Sequence, residues 1–335
     1  MTTDHHQPTL EEVARLAGVG RGTASRVVNG SEHVSARTRE AVERAVRELG
    51  YVPNQAARAL KTRRTDTVAL VIAEDEQRVF AEPFFAGLVR GISRAVDETS
   101  RRLVLSMVPD EAHLARLGQF LTPQHVDGVM VVSLHDGLSL PDHLDLPVVY
   151  VGRPSIAGAS FVDVDNRGGA RRAVEHLIGR GRTRIGCVTG PQDMASGRDR
   201  LAGYRDAVAA AGLPDDTDLV EAGDFSDASG VRGAAALLAR RPDLDAVFAA
   251  NDLMALGALR ELQRQGRQVP ADVALVGFDG SAAAEAADPV LTTMRQPLAA
   301  LGSALVDVLA RRIDDPGRAP ESVILTADLQ EGESA

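Results

Sequence analysis

The chain has 335 residues, too many for one ordinary core and suited to a small domain plus a large one, or to three lobes. With 44% hydrophobic, 25% charged and only 3% aromatic residues and no Trp, the composition is that of a soluble globular protein whose core rests on Ala, Val, Leu and Ile. One cysteine excludes a disulfide framework or a cysteine metal set, and no apolar stretch is long enough to span a membrane. Cys187 lies in the apolar run from Arg184 to Thr189 and reads as a small core residue. Met1 to Pro8 is polar and lacks the apolar centre of a signal peptide, so a cytoplasmic location is expected. The net charge is −10, yet residues 1–64 hold 11 Arg and Lys against 7 Asp and Glu. A basic head on an acidic body suggests a nucleic-acid-binding module at the N-terminus.

Thr9-Leu-Glu-Glu12 has the spacing of a capping box, and Leu10, Val13, Ala14 and Ala17 then share one helical face. Gly18 breaks this helix. A second short helix is predicted from Arg21 to Val28, with Ala24, Val27 and Val28 inward and Asn29-Gly30 as its stop. Ser35 caps a third, whose apolar face is Ala41, Val42, Ala45, Val46 and Leu49. This is the order of a helix-turn-helix, in which the second helix lies in the major groove. That helix presents Arg21, Gly22, Thr23, Ser25, Arg26 and Asn29; arginine suits guanine edges and hydroxyls suit phosphates. Periodicity alone leaves a plain three-helix bundle equally open.

The run from Thr9 to Val19, then Thr23-Ala-Ser-Arg-Val-Val-Asn-Gly30 and Tyr51-Val-Pro-Asn54, resembles the headpiece of the LacI/GalR family of bacterial transcriptional regulators. The resemblance implies that Arg21 and Gly22 hold the variable base-reading positions and that Arg26 reads a guanine. It implies phosphate contacts for Thr9, Thr23, Ser25, Asn29, His33 and Tyr51. It makes Asn54 to Leu60 a hinge helix, with Leu60 the wedge in the minor groove. Seven residues are too few for a stable helix alone in water, so the hinge would form only with DNA and a partner subunit. A plain linker also fits Lys61 to Thr65; Pro53 ahead and Leu60 within favour the hinge. Gly20 stands where the family often has Ser. The expected domains are 1–52 (DNA binding), 53–65 (hinge helix and linker) and 66–335 (a two-lobed effector-binding and dimerisation domain).

Beyond Asp66, short apolar runs alternate with helical stretches. Strands are predicted at Val68–Ala73, Leu103–Val108, Gly128–Ser133, Val148–Gly152, Arg184–Thr189, Ala246–Ala249 and Val273–Phe278. Helices are predicted at Phe84–Thr99, Glu111–Leu121, Arg167–Arg180, Arg198–Ala211, Ala228–Arg240, Leu253–Gln265 and Pro297–Arg312. Such alternation means parallel sheets with helices on both faces, here an α/β core of two doubly wound lobes behind the all-α headpiece. Ligands in such folds bind at the carboxyl ends of strands. Polar residues gather there: Phe161 to Asn166 after the Gly152-Arg-Pro154 region, Gly223 to Ser226 after a further expected strand, Asn251-Asp252 and Asp279. Each has a bland alternative, such as a helix cap for Asn251 or ordinary core for Phe84.

As a set they again resemble the LacI/GalR family, whose core is similar to periplasmic sugar-binding proteins. That resemblance implies that Arg200, Asn251 and Asp279 grip an effector, with Arg198 a weaker candidate. It implies that Phe225 stacks on the effector and that Phe84 and Phe161 line the cleft. Two departures leave the effector open: the acidic stretch from Ala73 to Glu82, and Gly280 followed by alanines after Asp279. The expected protein is a repressor without cofactor or metal, a homodimer on a pseudo-palindromic operator, whose affinity for DNA is set by a small molecule, a sugar first. Induction is favoured over corepression. The tail from Ala327 holds one leucine, Leu329, and no heptad for a tetramer. The alternatives are a purine- or nucleoside-responsive corepressor type and a solute-binding protein. The chain lacks both the dinucleotide fingerprint after its first strand and a phosphate loop, and its eight histidines are scattered, which argues against an enzyme.

Overall fold

Thr9 and Glu12 cap each other reciprocally, the Glu12 N–H reaching the Thr9 hydroxyl and the Thr9 N–H reaching the Glu12 carboxylate at 2.8 Å. This starts α1 (Leu10–Leu16). The computed structural model describes residues 8–28, 31, 33–51, 64–138, 140, 144–214 and 216–335. Gly18, at a φ of +67°, makes the left-handed turn into α2 (Arg21–Val28). Ser35 caps α3 (Ala36–Leu49), which ends on Gly50 at a φ of +62°. Val13, Ala24 and Val42 meet at the centre of this bundle with no exposed surface. The expected hinge residues Asn54 and Leu60, and the expected phosphate contact Asn29, lie outside the described residues. The chain divides into two compact units, Met1–Thr65 and Asp66–Ala335.

The second unit opens with β1 (Thr67–Ile72), α4 (Glu76–Ala81), α5 (Pro83–Asp97), β2 (Arg102–Met107), α6 (Glu111–Phe120), β3 (Gly128–Val132), β4 (Val148–Val151) and β5 (Ser160–Val164). It continues with α7 (Asn166–Gly179), β6 (Ile185–Val188), α8 (Ala195–Ala210), β7 (Val220–Glu221), α9 (Asp227–Arg240), β8 (Ala246–Ala249) and α10 (Asp252–Arg264). It closes with β9 (Ala274–Asp279), α11 (Ala282–Glu285), β10 (Thr292–Arg295), α12 (Leu298–Asp314), β11 (Ser322–Leu325) and β12 (Asp328–Gln330).

Two six-stranded sheets result, ordered β2-β1-β3-β4-β5-β11 and β7-β6-β8-β9-β10-β12. Every pairing is parallel except β10 with β12. The two orders are the same doubly wound pattern, with a reversal between β1 and β3 in one lobe and between β6 and β8 in the other. The central strands are buried on both faces, which is why β1, β3 and β8 read as unbroken apolar runs. The chain passes between lobes three times, after β5, after β10 and after β11. Thus α7 packs on the second sheet and α12 on the first. Helices α5 and α12 cross at Gly91 and Gly302, where a Cβ on Gly302 would stand 2.5 Å from the Gly91 backbone.

All seven predicted strands and all seven predicted long helices are present, with ends within three residues. The segment Phe161 to Asn166, read as a polar strand end, belongs mostly to a strand of its own, β5. Also unforeseen were α4, α11, β10, β11 and β12. These are short, and β11 is half exposed at a sheet edge, so neither length nor an apolar run marks them.

Candidate functional site

The carboxyl ends of the two sheets face each other across one cleft, enclosing about 820 Å³ of empty space with its mouth included. That lies within the usual range for small-molecule sites, about 300–1,000 Å³. Lobe one contributes Arg78, Glu82 and Phe84 after β1, Ser133 after β3, Arg153 after β4 and Asp163 from β5. Lobe two contributes the start of α8, Arg200, Phe225, Asn251 and Asp279, and the β10 crossing adds Gln296. Among the described residues, four that are not glycine have positive φ: Asp66, Ser133, Phe225 and Asp279. Three of the four line this cleft. Such conformations cost about 1–3 kcal/mol each and persist only where neighbours hold them, which is common at binding sites.

Arg200 is the centre of the lobe-two wall. It rises from α8, is 5% exposed, and lies 3.8 Å over the Phe278 ring. Its Nε donates to Asn166 Oδ1 at 2.9 Å and its Nη1 to the Ala250 carbonyl at 2.5 Å, with Asp279 Oδ1 at 3.6 Å. Burial pushes the Asp279 carboxyl up to about 8 in spite of that guanidinium. Gln296 Nε2 donates to Asp279 Oδ1 at 2.7 Å. Asn251 caps α10 by accepting from the Met254 N–H, and its amide donates to the Phe225 carbonyl at 2.9 Å. That bond holds Phe225 at its φ of +66°. Gly190 makes room for the ring, because a Cβ there would stand 2.3 Å from it.

On the lobe-one wall, Arg78 spans two carboxylates, Glu74 at 3.2 Å and Glu82 at 2.9 Å, and its guanidinium lies 6.0 Å from the Phe225 ring centroid of the other lobe. Burial raises Glu82 to about 7 against the opposing pull of Arg78. Burial likewise raises Asp163 to about 6, although its carboxylate accepts from the Val164 and Arg153 N–H groups.

The mouth carries contacts between lobes. His135 bonds Asp193 across the cleft at 2.8 Å and Glu74 on its own side at 3.2 Å. The Asp136 N–H donates to the Asp193 carbonyl at 2.8 Å, Arg198 meets Asp136 at 2.5 Å, and Arg153 meets both Asp199 oxygens at 2.9 and 2.8 Å. Exposed pairs contribute roughly 0.2–1 kcal/mol each, enough to bias closure without locking it. The Glu74 hydrogen bond, ahead of that from Asp193, raises the His135 pKa.

Of the expected cleft residues, Phe84, Arg200, Phe225, Asn251 and Asp279 come together on its walls. Arg198 does not line it, because it points to the rim and is committed to Asp136. Phe161 does not either. It sits one pleat short of Asp163 on the same face of β5, about 7 Å back from the strand's carboxyl end, and packs with Val129, Val131 and Tyr150. Sequence reasoning missed Arg78, Glu82, Ser133, Asp163 and Gln296 as lining. For Ser133 and Asp163 the signal is a polar residue at the end of an apolar run, and the stretch Ala73–Glu82 carried Arg78 and Glu82; Gln296, after the threonine-rich β10, had none.

In the first unit, Arg21, Gly22 and Arg26 are exposed on α2 and Thr23 and Ser25 are half-buried. Without a partner Arg21 bonds Glu11 at 2.9 Å, while Arg26 lies along its own helix toward the Gly22 carbonyl and the Thr23 hydroxyl. A Cβ on Gly22 would meet nothing within 4 Å, so the fold does not require glycine there. Thr9 and His33 are exposed, and half-buried Tyr51 packs on the bundle core.

Residues 9–54 match the model of bacterial regulatory proteins of the lacI family, and residues 174–335 match that of a periplasmic binding protein-like domain. The HTH-type transcriptional regulator CelR of Thermobifida fusca is 52% identical over 98% of both chains. The chain belongs to the lacI family. The solved CelR–cellobiose complex covers 98% of this lacI-family chain and 100% of its own, with 50% identity and a TM-score of 0.79. The lac repressor dimer bound to operator and the anti-inducer ONPF covers 98% of this chain and 99% of its own, with 29% identity and a TM-score of 0.84. Among the described residues no helix is long and apolar enough to cross a membrane, and no group of three or more His, Cys, Asp or Glu is placed to hold a metal ion.

Proposed function

We propose that this chain is a cytoplasmic transcriptional repressor, not an enzyme, that binds a pseudo-palindromic operator as a homodimer and releases it when a sugar fills the cleft. The observation that carries this reading is the joining, in one chain, of an arginine-bearing helix turned outward and a cleft lined by an aromatic pair and buried polar groups. Arg21 and Arg26 would read base edges, with Thr9, Thr23, Ser25, Asn29, His33 and Tyr51 on phosphates, Asn54 in the hinge, and Leu60 wedged at the operator centre. Arg200, Asn251 and Asp279 would take sugar hydroxyls, and Phe84 and Phe225 would cover the apolar ring faces. The cellobiose in the related CelR complex supports a β-linked glucose disaccharide as the first candidate. For the sugar to act on DNA, the closed and open cleft must differ in their affinity for it.

The test is fluorescence anisotropy of the full chain on its own upstream DNA, with cellobiose, other sugars and nucleosides. Tight binding relieved by a sugar is expected. Binding that requires a nucleoside would replace induction with corepression. Sugar binding without any salt-sensitive DNA binding would leave a solute-binding protein.

A further inference from the structure

The acidic stretch from Ala73 to Glu82 is not explained by DNA binding or by the Arg200–Asp279–Asn251 wall. It carries α4, places Arg78 and Glu82 at the cleft, and sets buried Glu74 against Arg78. Arg78 is the cation of lobe one nearest Phe225, and it is neutralised on both sides, by Glu74 and by Glu82. Of the other two lining cations, Arg153 is paired with Asp199, and the guanidinium of Arg200 is taken up by Asn166 Oδ1 and the Ala250 carbonyl. Three carboxyls, Glu82, Asp163 and Asp279, also face the space.

Resting on the sugar-responsive reading above, we propose that Glu74, Arg78 and Glu82 form a specificity unit that makes the site take uncharged sugars and reject phosphorylated ones. A phosphate brings close to two negative charges and must be given cations or N–H donors when it leaves water. Here Arg78 already sits between Glu74 and Glu82, so a phosphate drawn to it would have to displace Glu82 and leave that carboxyl buried without its guanidinium. The first turn of α8 has no side-chain cap hydrogen bond and its residues Ala195 and Ser196 line the cleft, but a helix N-terminus supplies only about half an elementary charge. At the start of α5 even that is offset, because Glu82 occupies the N-cap position. Sugar hydroxyls, which both donate and accept, suit a paired Arg78 and Glu82 without disturbing the pair.

Calorimetry on the full chain tests this with cellobiose, glucose, cellobiose 6′-phosphate and glucose 6-phosphate. The expected result is that a neutral sugar binds and its phosphate binds at least tenfold more weakly. In Glu82→Gln, which leaves Arg78 with Glu74 as its one charged partner, the ratio of the two affinities should narrow at least threefold. Glu74→Gln serves as the second variant should the first fail to fold. A phosphate that binds within tenfold of its parent, or more tightly, overturns the inference and leaves the sugar reading intact. An unchanged ratio in a folded variant removes the specificity role from this unit. Binding of neither series overturns the sugar reading and the inference with it.

Discussion

Arg200→Met should separate the two parts of Arg200's role, holding the lobe-two wall together and gripping the effector. Methionine keeps the aliphatic stem but loses the guanidinium that lies over Phe278. What is lost is the donor to Asn166 Oδ1 and to the Ala250 carbonyl, both buried. Each unsatisfied acceptor costs about 1–3 kcal/mol. Asp279 adds little to that, because a carboxyl pushed up to about 8 already holds its proton at neutral pH. The two together make a loss of about 2–6 kcal/mol, a fall in the thermal midpoint of at least roughly 4 °C for a unit of this size. The lost charge-assisted hydrogen bond should weaken the effector roughly 10- to 100-fold. Thermal unfolding followed by circular dichroism gives the first quantity and calorimetry with cellobiose the second. A midpoint within about 1 °C of the parent would refute the bonding argument. Unchanged affinity in a folded variant would remove Arg200 from the site.

The second unit should lose stability as pH rises from 6 to 8.5. Glu82, Asp163 and Asp279, raised to about 7, 6 and 8, keep protons in the folded state that the unfolded chain has already released, so unfolding free energy falls as pH climbs through those values. His135, also raised, acts in the same direction, since the stability from its charged form is lost as pH passes its folded pKa. A midpoint that rises with pH over this window would show the carboxyls to be ionised in the fold. Gly190→Ala should displace the Phe225 ring and lower cellobiose affinity at least fivefold without touching the sugar; normal calorimetric titration would count against Phe225 as a contact. Arg26→Ala should abolish selective operator binding while leaving the thermal midpoint of the second unit unchanged, and an anisotropy titration with retained selectivity would take base reading away from Arg26. Val42→Ala, in the headpiece core, should destabilise that bundle by about 2 kcal/mol and reach the same loss of DNA binding by a different route, visible as lost helix signal.

The headpiece was legible almost to the residue. Its caps, Thr9, Ser35 and Gly50, are local devices written in adjacent side chains, and its apolar faces follow the helical period. The central strands were legible because burial on both faces leaves only apolar residues. The edge strands β11 and β12 and the threonine-rich β10 were not, since their pairing depends on where the chain returns after long detours. The cleft was half legible. Strand ends could be named, but whether a side chain there faces the cavity depends on the pleat and on how far it stands from the strand's end. Asp163 faces in, and Phe161, two residues earlier, does not. Arg198 and Arg200 are likewise two residues apart on one helix. The turn between them sends one to the rim and the other into the wall, which spacing alone does not decide.

The three passages between lobes have a consequence for synthesis. Lobe one is assembled from residues 66–165 and 297–326, so as the chain emerges its sheet lacks β11 and its face lacks α12 until nearly the last residue is made. Lobe two has its five parallel strands complete at Arg295, before α12 begins at Leu298, and lacks only the short antiparallel β12. Cotranslational folding should therefore run out of chain order, with the later lobe closing first and the earlier one waiting, one apolar face uncovered, for a helix encoded more than 130 residues downstream of its own β5.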